Sequence, residues 1–593
     1  MLDWITGGVL ATIASFFRLL DGFWRRVVPR KVVVAVSAIF FLCAIGFVVW
    51  MQQAPSPKPV DAPQREFSAL RALKHVHKIA HKKHPMWSQE NKKVRSYLLR
   101  EMRTLGLKPQ TQTRPLPREG LHPRASRLAG LPVVNLMARI KGSRSTGAVL
   151  LVAHYDSAHR GPGAADDAAA VAAILETVRA LKHHPRLRND LILLITDAEE
   201  IGLWGAKLFA KHHPWMKDAK LVLNFEARGV AGPSLMFETN KNNGFVIQQF
   251  SRGDHAPRGS SLFFEVYRRL PNDTDFSVFK RAGVQGLNFA FIEKVRHYHQ
   301  KTDDVKHLSR ASLQDHGEHM LSLVNALGHA DLSKVQQSPN SVYFDVLGLG
   351  LVQYSESTGI VLAVLALLLC CFLLVVAVRK GEARWHGVGL AFLQLLIIAA
   401  MAGAAVGALA WYTLQWKGRR LYGFYYDILN DGWYVVAFLC LTACIYFVVH
   451  ALTSRWLQRM ECALAALLWW SGVSIFLAWK VAGAGYLSLW PLMGGLFTVS
   501  YILYSEEIED KAPFLASLAW LGELPLLLLA APLFYHVPYA LTLTMTGATS
   551  LLFVLFFSLA FATQDALTWA GKWRPALGTF VAFVITYTLP LVL

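Results

Sequence analysis

The residues best placed to do chemistry gather between Leu150 and Asp167, in LLVAHYDSAHRGPGAADD. A run of β-formers ends on His154 and Asp156, a Gly/Pro turn follows, and the adjacent Asp166 and Asp167 open a helical pattern. Imidazole and carboxylate groups at the end of a strand can form an N/O metal site. Two later apolar runs also finish on acidic residues: DLILLITDAEE carries Glu199 and Glu200, and KLVLNFEA carries Glu226. A fourth segment, HYHQKTDD, supplies His297 and His299. Singly, each signal is weak, because charged side chains are mostly solvated. Their order gives the signal, with donors after three successive strands and in a late loop meeting at one sheet edge. Such a set suits two zinc ions, one of them bridged by a carboxylate, with water in the open position.

Elements that must position this set alternate along the chain. Strand patterns lie at Val133 to Ile140, Ala148 to Ala153, Leu191 to Ile195, Leu221 to Phe225, Ser234 to Phe237 and Gly286 to Phe291. Helical patterns lie near Phe67 to His81, Glu90 to Leu105, Asp167 to Leu181, Gly202 to Lys211, Phe276 to Arg281 and Ser309 to Leu327. The alternation predicts an α/β fold with a mostly parallel central sheet flanked by helices. In such sheets ligands bind beyond the carboxyl ends of the strands, where the polar clusters fall.

With 54% apolar and 17% charged residues over 593 positions, part of the chain must lie in lipid. Residues 1–31 read as a cytoplasmic amphipathic segment, 32–51 as a transmembrane anchor and 52–64 as a Pro-rich linker. Residues 65–340 form the domain that carries the donor set, 341–357 a connector, and 358–593 an all-α membrane domain of about eight further spans. Arg25, Arg26, Arg30 and Lys31 precede the anchor, which puts the N-terminus in the cytoplasm and the middle domain outside. Glu523 is the clearest ionisable residue within the spans, and a single carboxyl reads as part of a bundle rather than a pathway. Segments 1–54 and 355–593 carry net charges of +3 and +1, so the middle holds sixteen of the twenty excess positive charges. Membrane lipid headgroups account for these better than nucleic acid does, since no basic helix interleaved with aromatics stands out. All six cysteines fall in hydrophobic segments, which excludes a disulfide framework or a thiolate zinc site in the middle domain.

The motifs HYDS, PGAADDAAAV, DAEEIGLWGAKLF, NFEARG, PNDTDFSVF and YHQKTDD, in this order, resemble the M28 zinc aminopeptidases. Within that family they are similar to a membrane-bound group that includes the endoplasmic reticulum metallopeptidases. The resemblance implies that His154 and Glu226 bind one zinc, Glu200 and His299 a second, with Asp166 bridging. It implies Glu199 as general base, and Asp156 is placed to hold the His154 imidazole. The Tyr-His order and the later Asp303 favour His299 over His297. Arg228, Asp275 and Tyr298 are candidate substrate contacts, with a salt bridge the alternative for Arg228 and helix capping for Asp275. Asp167 is expected to shape the turn, and His159, His183, His184, His212 and His213 to lie on a solvated basic surface. The implied function is a membrane-anchored di-zinc aminopeptidase acting on peptides, with its catalytic domain in the periplasm of a bacterial inner membrane; a homo-oligomer is open to it. The alternatives are a glutaminyl-cyclase-like zinc enzyme and a non-catalytic peptide-binding membrane scaffold.

Overall fold

Runs such as AVLLVAH and DLILLIT are apolar at every position, so a strand made from them needs cover on both faces. In the computed structural model they receive it. The structure describes residues 39, 43–44, 46–121, 123–336, 338–416, 432–504, 521–534, 546–560 and 573–592. The chain divides into two compact units, one built mainly of Met51–Ser357, the other of the apolar C-terminal segments with the chain's beginning.

The first unit holds strands β1 (Gln110–Pro115), β2 (Pro132–Ile140), β3 (Ala148–His154), β4 (Asp190–Thr196), β5 (Ala219–Ala227), β6 (Leu235–Thr239) and β7 (Gln285–Phe291). They form one sheet in the order β1-β2-β4-β3-β5-β7-β6. The central strands β4, β3, β5 and β7 run parallel, while β1, β2 and β6 pair antiparallel at the flanks. Helices are α1 (Ala69–Ile79), α2 (Gln89–Thr104), α3 (Ala170–Leu181), α4 (Trp204–His212), α5 (Gly244–Gly253), α6 (Ser261–Tyr267), α7 (Asp275–Arg281) and α8 (Arg310–His329). Strand side chains alternate between faces. Leu151, Leu193 and Leu223 pack with residues of α1, α2, α3, α5 and α8. Leu150, Leu194 and Val222 point the other way and pack with α4 and α7. The result is a helix–sheet–helix sandwich with a mostly parallel centre, as the alternation predicts.

Three features depart from the sequence reading. The edge strand β1, QTQTRP, is polar and largely exposed, so it carries no apolar alternation. The stretch read as a connector contains a hairpin of β8 (Ser341–Asp345) and β9 (Leu351–Ser355), turned at Leu347 and Gly348, both with positive φ. Regular helix α3 begins at Ala170 rather than Asp167, because Asp166 and Asp167 leave helical angles in a wide turn over Ala164–Ala169.

Among the described residues of the second unit, five helices are long and apolar enough to cross a membrane: Glu356–Arg379, Trp385–Thr413, Val436–Thr453, Arg459–Lys480 and Tyr486–Leu503. Leu521–Phe534 and Thr549–Ser558 are shorter apolar helices, and Arg574–Val592 is a further helix. The chain is an integral membrane protein. The amphipathic segment 1–31 lies outside the described residues, as do most of the anchor and parts of the two spans expected at 513–533 and 539–562. Glu523 is buried at 3% exposure.

A buried carboxylate ties the helices that flank the site. Glu176 on α3 accepts from Arg71 Nε on α1 at 2.7 Å, from Arg179 Nε at 2.7 Å and from the Ser68 N–H at 3.2 Å. Removing one side of a buried pair strands the remaining charges. Glu176→Ala is expected to cost on the order of 3 kcal/mol, read as a lowered midpoint of thermal unfolding in detergent; an unchanged midpoint would show that the two arginines find other partners.

Candidate metal centre

Strand β3 delivers His154, whose N–H donates to Asp167 Oδ2 at 3.2 Å. Its ring Nδ1 lies 2.9 Å from the Asp156 carbonyl oxygen, which turns Nε2 toward Asp166 Oδ1 at 3.0 Å and Glu226 Oε2 at 3.6 Å. A second hydrogen bond of this kind fixes tautomer and ring direction in metal-binding histidines. Strand β4 leads to Glu199 and Glu200 through Ala198 at φ 60°. Strand β5 places Glu226 one residue before its end. After β7 the chain loops to His299, at φ 56°, whose Nε2 lies 3.0 Å from Asp166 Oδ2 and 3.1 Å from Glu200 Oε2.

Two groups of three donors result, His154 with Asp166 and Glu226, and Asp166 with Glu200 and His299. Asp166 belongs to both and turns one oxygen to each histidine. His297 is not part of either group: it bonds with Arg296 and stacks on His307. The Tyr298 ring stacks on His299 with centroids 3.8 Å apart.

Asp156 faces His154 with both its carboxylate, 3.6 Å from Nδ1, and its carbonyl, and the carboxylate also accepts the backbone N–H groups of Glu199 at 3.1 Å and Glu200 at 3.4 Å. The imidazole is held by the Asp156 carbonyl, because the chain turns back on itself immediately after β3. Asp275 does not cap α7, since Thr274 and Ser277 form the capping box. Its side chain is buried, accepts from Thr196 Oγ1 at the end of β4, and leaves Oδ1 unpartnered. Arg228 is half-buried just beyond β5 and stands outside both donor groups. His159 is exposed, as expected, but with Arg160 it lines a cleft of about 320 Å³ that reaches Asp156, Glu200 and His299.

A residue whose role the sequence did not reveal is Asp303. Its carboxylate accepts from the Ala165 N–H at 2.7 Å and the Asp166 N–H at 3.3 Å, so the loop that carries His299 also holds the turn that carries Asp166. The signal available was its position four residues after His299; the hydrogen bonds span 138 and 137 residues and leave no local pattern.

Electrostatics bear on what the cluster can hold. Burial, then the neighbouring Glu226, Asp275 and Glu200, push the Glu199 carboxyl well up, although His154 opposes this. Burial and the Asp166 charge likewise raise Glu226, against the pull of His154. Burial disfavours the charged form of His154, yet Asp156, Asp166 and Glu226 raise it well above an ordinary imidazole. Against the same burial, His299 is pushed up to about 12 by Glu200 and Asp166. The cavity therefore calls for positive charge, which bound cations would supply in place of protons. Buried Glu200 Oε1 has no hydrogen-bond partner. The donors are imidazole nitrogens and carboxylate oxygens, three to each group, which suits zinc with a position left open.

Residues 135–324 match the family described as Peptidase family M28. The chain is 30% identical over 298 residues to endoplasmic reticulum metallopeptidase 1 of Rattus norvegicus, covering 46% of this chain and 33% of that protein. It is 25% identical over 362 residues to a vacuolar membrane protease of Yarrowia lipolytica, covering 58% and 35%. The match thus spans about a third of the length of these curated relatives. Among solved structures, an aminopeptidase from Aneurinibacillus sp. strain AM-1 matches at 14% identity and a TM-score of 0.37, covering 48% of this chain and 97% of that one. A glutaminyl cyclase of Porphyromonas gingivalis matches at 18% and 0.37, covering 44% and 99%. The match to peptidase family M28 falls on the unit that carries both donor groups.

Gly163 makes the Asp166 turn possible. It sits at φ 64°, and a side chain there would meet the Asp166 carbonyl and lie 2.9 Å from Ser157 Cβ. Gly163→Ala is expected to weaken divalent-metal binding by roughly 10–100-fold, as loss of groups that orient metal ligands does. Metal retained after dialysis checks this, and retention equal to wild type would show that the turn adapts.

Proposed function

We propose that this chain is a membrane-embedded, zinc-dependent exopeptidase, an aminopeptidase that removes N-terminal residues from peptides. The observation that supports this most is the pair of three-donor groups joined at Asp166. In this reading His154 and Glu226 hold one zinc, Glu200 and His299 the other, and Asp166 lies between them. Bound zinc supplies Lewis-acid polarisation of the peptide carbonyl and makes the attacking water acidic. Glu199, beside these donors, would accept a proton from the attacking water and return it to the leaving amine. Asp156 keeps Glu199 in place through the backbone and the His154 ring through its carbonyl.

Asp275, buried outside both donor groups with Oδ1 free of a hydrogen-bond partner, supports a contact with a positively charged amino terminus, and this favours an aminopeptidase over a carboxypeptidase. The charges around the predicted spans support an extracytoplasmic unit, in the periplasm if the membrane is a bacterial inner membrane. Tyr298 stacks on His299 and steadies that ring from outside the residues that line the cleft. A glutaminyl cyclase with a single zinc is the second reading, and the metal count separates the two.

Glu199→Gln is expected to keep two zinc ions per chain while turnover of N-terminally unblocked peptides falls roughly 10²–10⁴-fold, the usual share of a general base. Elemental analysis and amine release on the same detergent-purified samples check it. A single zinc with cyclisation of N-terminal glutamine would replace this reading with the cyclase.

A further inference from the structure

The cleft that reaches the metal centre changes character along its length. Its inner part, about 320 Å³, is walled by Pro85, Met86, Trp87 and Ile201 beside the polar cluster. Trp87 is 40% exposed, a large aromatic surface left open to whatever enters. This wall is fixed rather than loose. The His84 N–H donates to Ser157 Oγ at 2.8 Å, the Ser157 N–H donates to the His84 carbonyl at 3.3 Å, and Asn91 Nδ2 reaches the same carbonyl at 3.4 Å. Residues 84–87 are thereby pinned to the turn that follows β3.

The outer part, about 540 Å³, shares His159, Arg160 and Gln300 with the inner one and adds Lys83, Lys301 and Thr302. It contains three full positive charges and an imidazole, and no carboxylate lines it. Lys83, His159, Arg160 and Lys301 are exposed. None of the four makes an ion pair or side-chain hydrogen bond among the described residues. Some basic residues elsewhere in this unit do face carboxylates, as Arg71 and Arg179 face Glu176, Arg139 faces Asp190, and Lys280 faces Glu238. Four unmatched basic groups on one cleft form a surface of positive potential that favours anionic partners.

Resting on the proposed peptidase reading, we propose that this cleft selects peptides with an apolar N-terminal side chain followed by acidic residues. The first side chain lies against Met86 and Trp87, and the chain leaves past Arg160 toward Lys83 and Lys301. The acidic side chains are recognised by charge rather than by a fitted pocket, so the preference weakens as salt shortens the screening length below about 10 Å.

The test uses the full chain in detergent, loaded with zinc, and three peptide series with leucine first, followed by alanine, glutamate or lysine. The glutamate series is expected to exceed the lysine series in kcat/KM by roughly tenfold, carried by KM, at low salt. In the triple variant Lys83→Glu, Arg160→Glu and Lys301→Glu the ratio of the two series inverts, and in Arg160→Glu alone it moves toward unity. Using the ratio removes any general loss of activity, and the unfolding midpoint shows whether each variant folds. Fluorescence anisotropy of labelled glutamate and lysine peptides on Glu199→Gln reads the same preference without turnover. A wild-type ratio near unity, or one unmoved by reversal, overturns the proposal. So does a ratio that stays fixed while charge reversal removes co-purifying phosphatidylglycerol, since the cations would then serve a lipid headgroup. Failure of the wild type to cleave the alanine series would count against the peptidase reading instead, and the anisotropy would still test the charge preference.

Discussion

Asp166 turns one oxygen to His154 and the other to His299, at 3.0 Å each, in a cavity otherwise crowded by carboxylates. A carboxylate stays ionised under burial only if positive charge faces it. Here burial would raise Asp166, and the two imidazoles hold it below the ordinary range. The arrangement works only while both histidines stay on opposite sides of one residue. One of them leaves β3 and the other comes from a loop about 145 residues later, so the constraint falls on the whole sheet.

The sheet meets that constraint through its order. With β4, β3 and β5 adjacent and parallel, the ends that carry Glu199 and Glu200, His154, and Glu226 open on the same edge. Neighbouring parallel strands lie about 4.8 Å apart, so donors from three of them fall within reach of one ion pair site without long side-chain excursions. β7 lies beside β5 and returns the chain toward that edge, where His299 takes a left-handed backbone angle to face inward. Hydrogen bonds then lock the loops to one another. Asp303 fixes the Asp166 turn, Asp156 fixes the Glu199–Glu200 backbone, and Asp167 fixes the N–H of His154.

Much of this is legible in sequence because it is local. An apolar run ending in a polar pair reports a buried strand and its exposed end together, and β3, β4 and β5 all have that form. What escapes is set by distant partners or by the backbone alone. Asp275 begins a helix and reads as either a cap or a substrate contact, but the cap is Thr274, and the carboxylate bonds Thr196 from 79 residues away. Asp156 reads as a carboxylate for His154, and only the coordinates add that its carbonyl lies nearer the ring and that the carboxylate also accepts the Glu199 N–H. β1 escapes because a polar edge strand borrows its structure from β2 rather than from its own apolar pattern.

The charge of this unit then has a physical reading at two scales. Its centre is acidic and buried, where low dielectric strengthens each interaction and the carboxylates require cations. Its sequence as a whole is strongly basic, and the outer cleft is basic where solvent screens each charge over about 10 Å. A peptide carrying a positive amino terminus and negative side chains behind it would match both ends of such a gradient. A peptide of the opposite polarity would match neither. Charges spread along a cleft in this way orient an approaching chain before any short-range contact forms, and orientation is what an exopeptidase needs, since only one end of its substrate is useful.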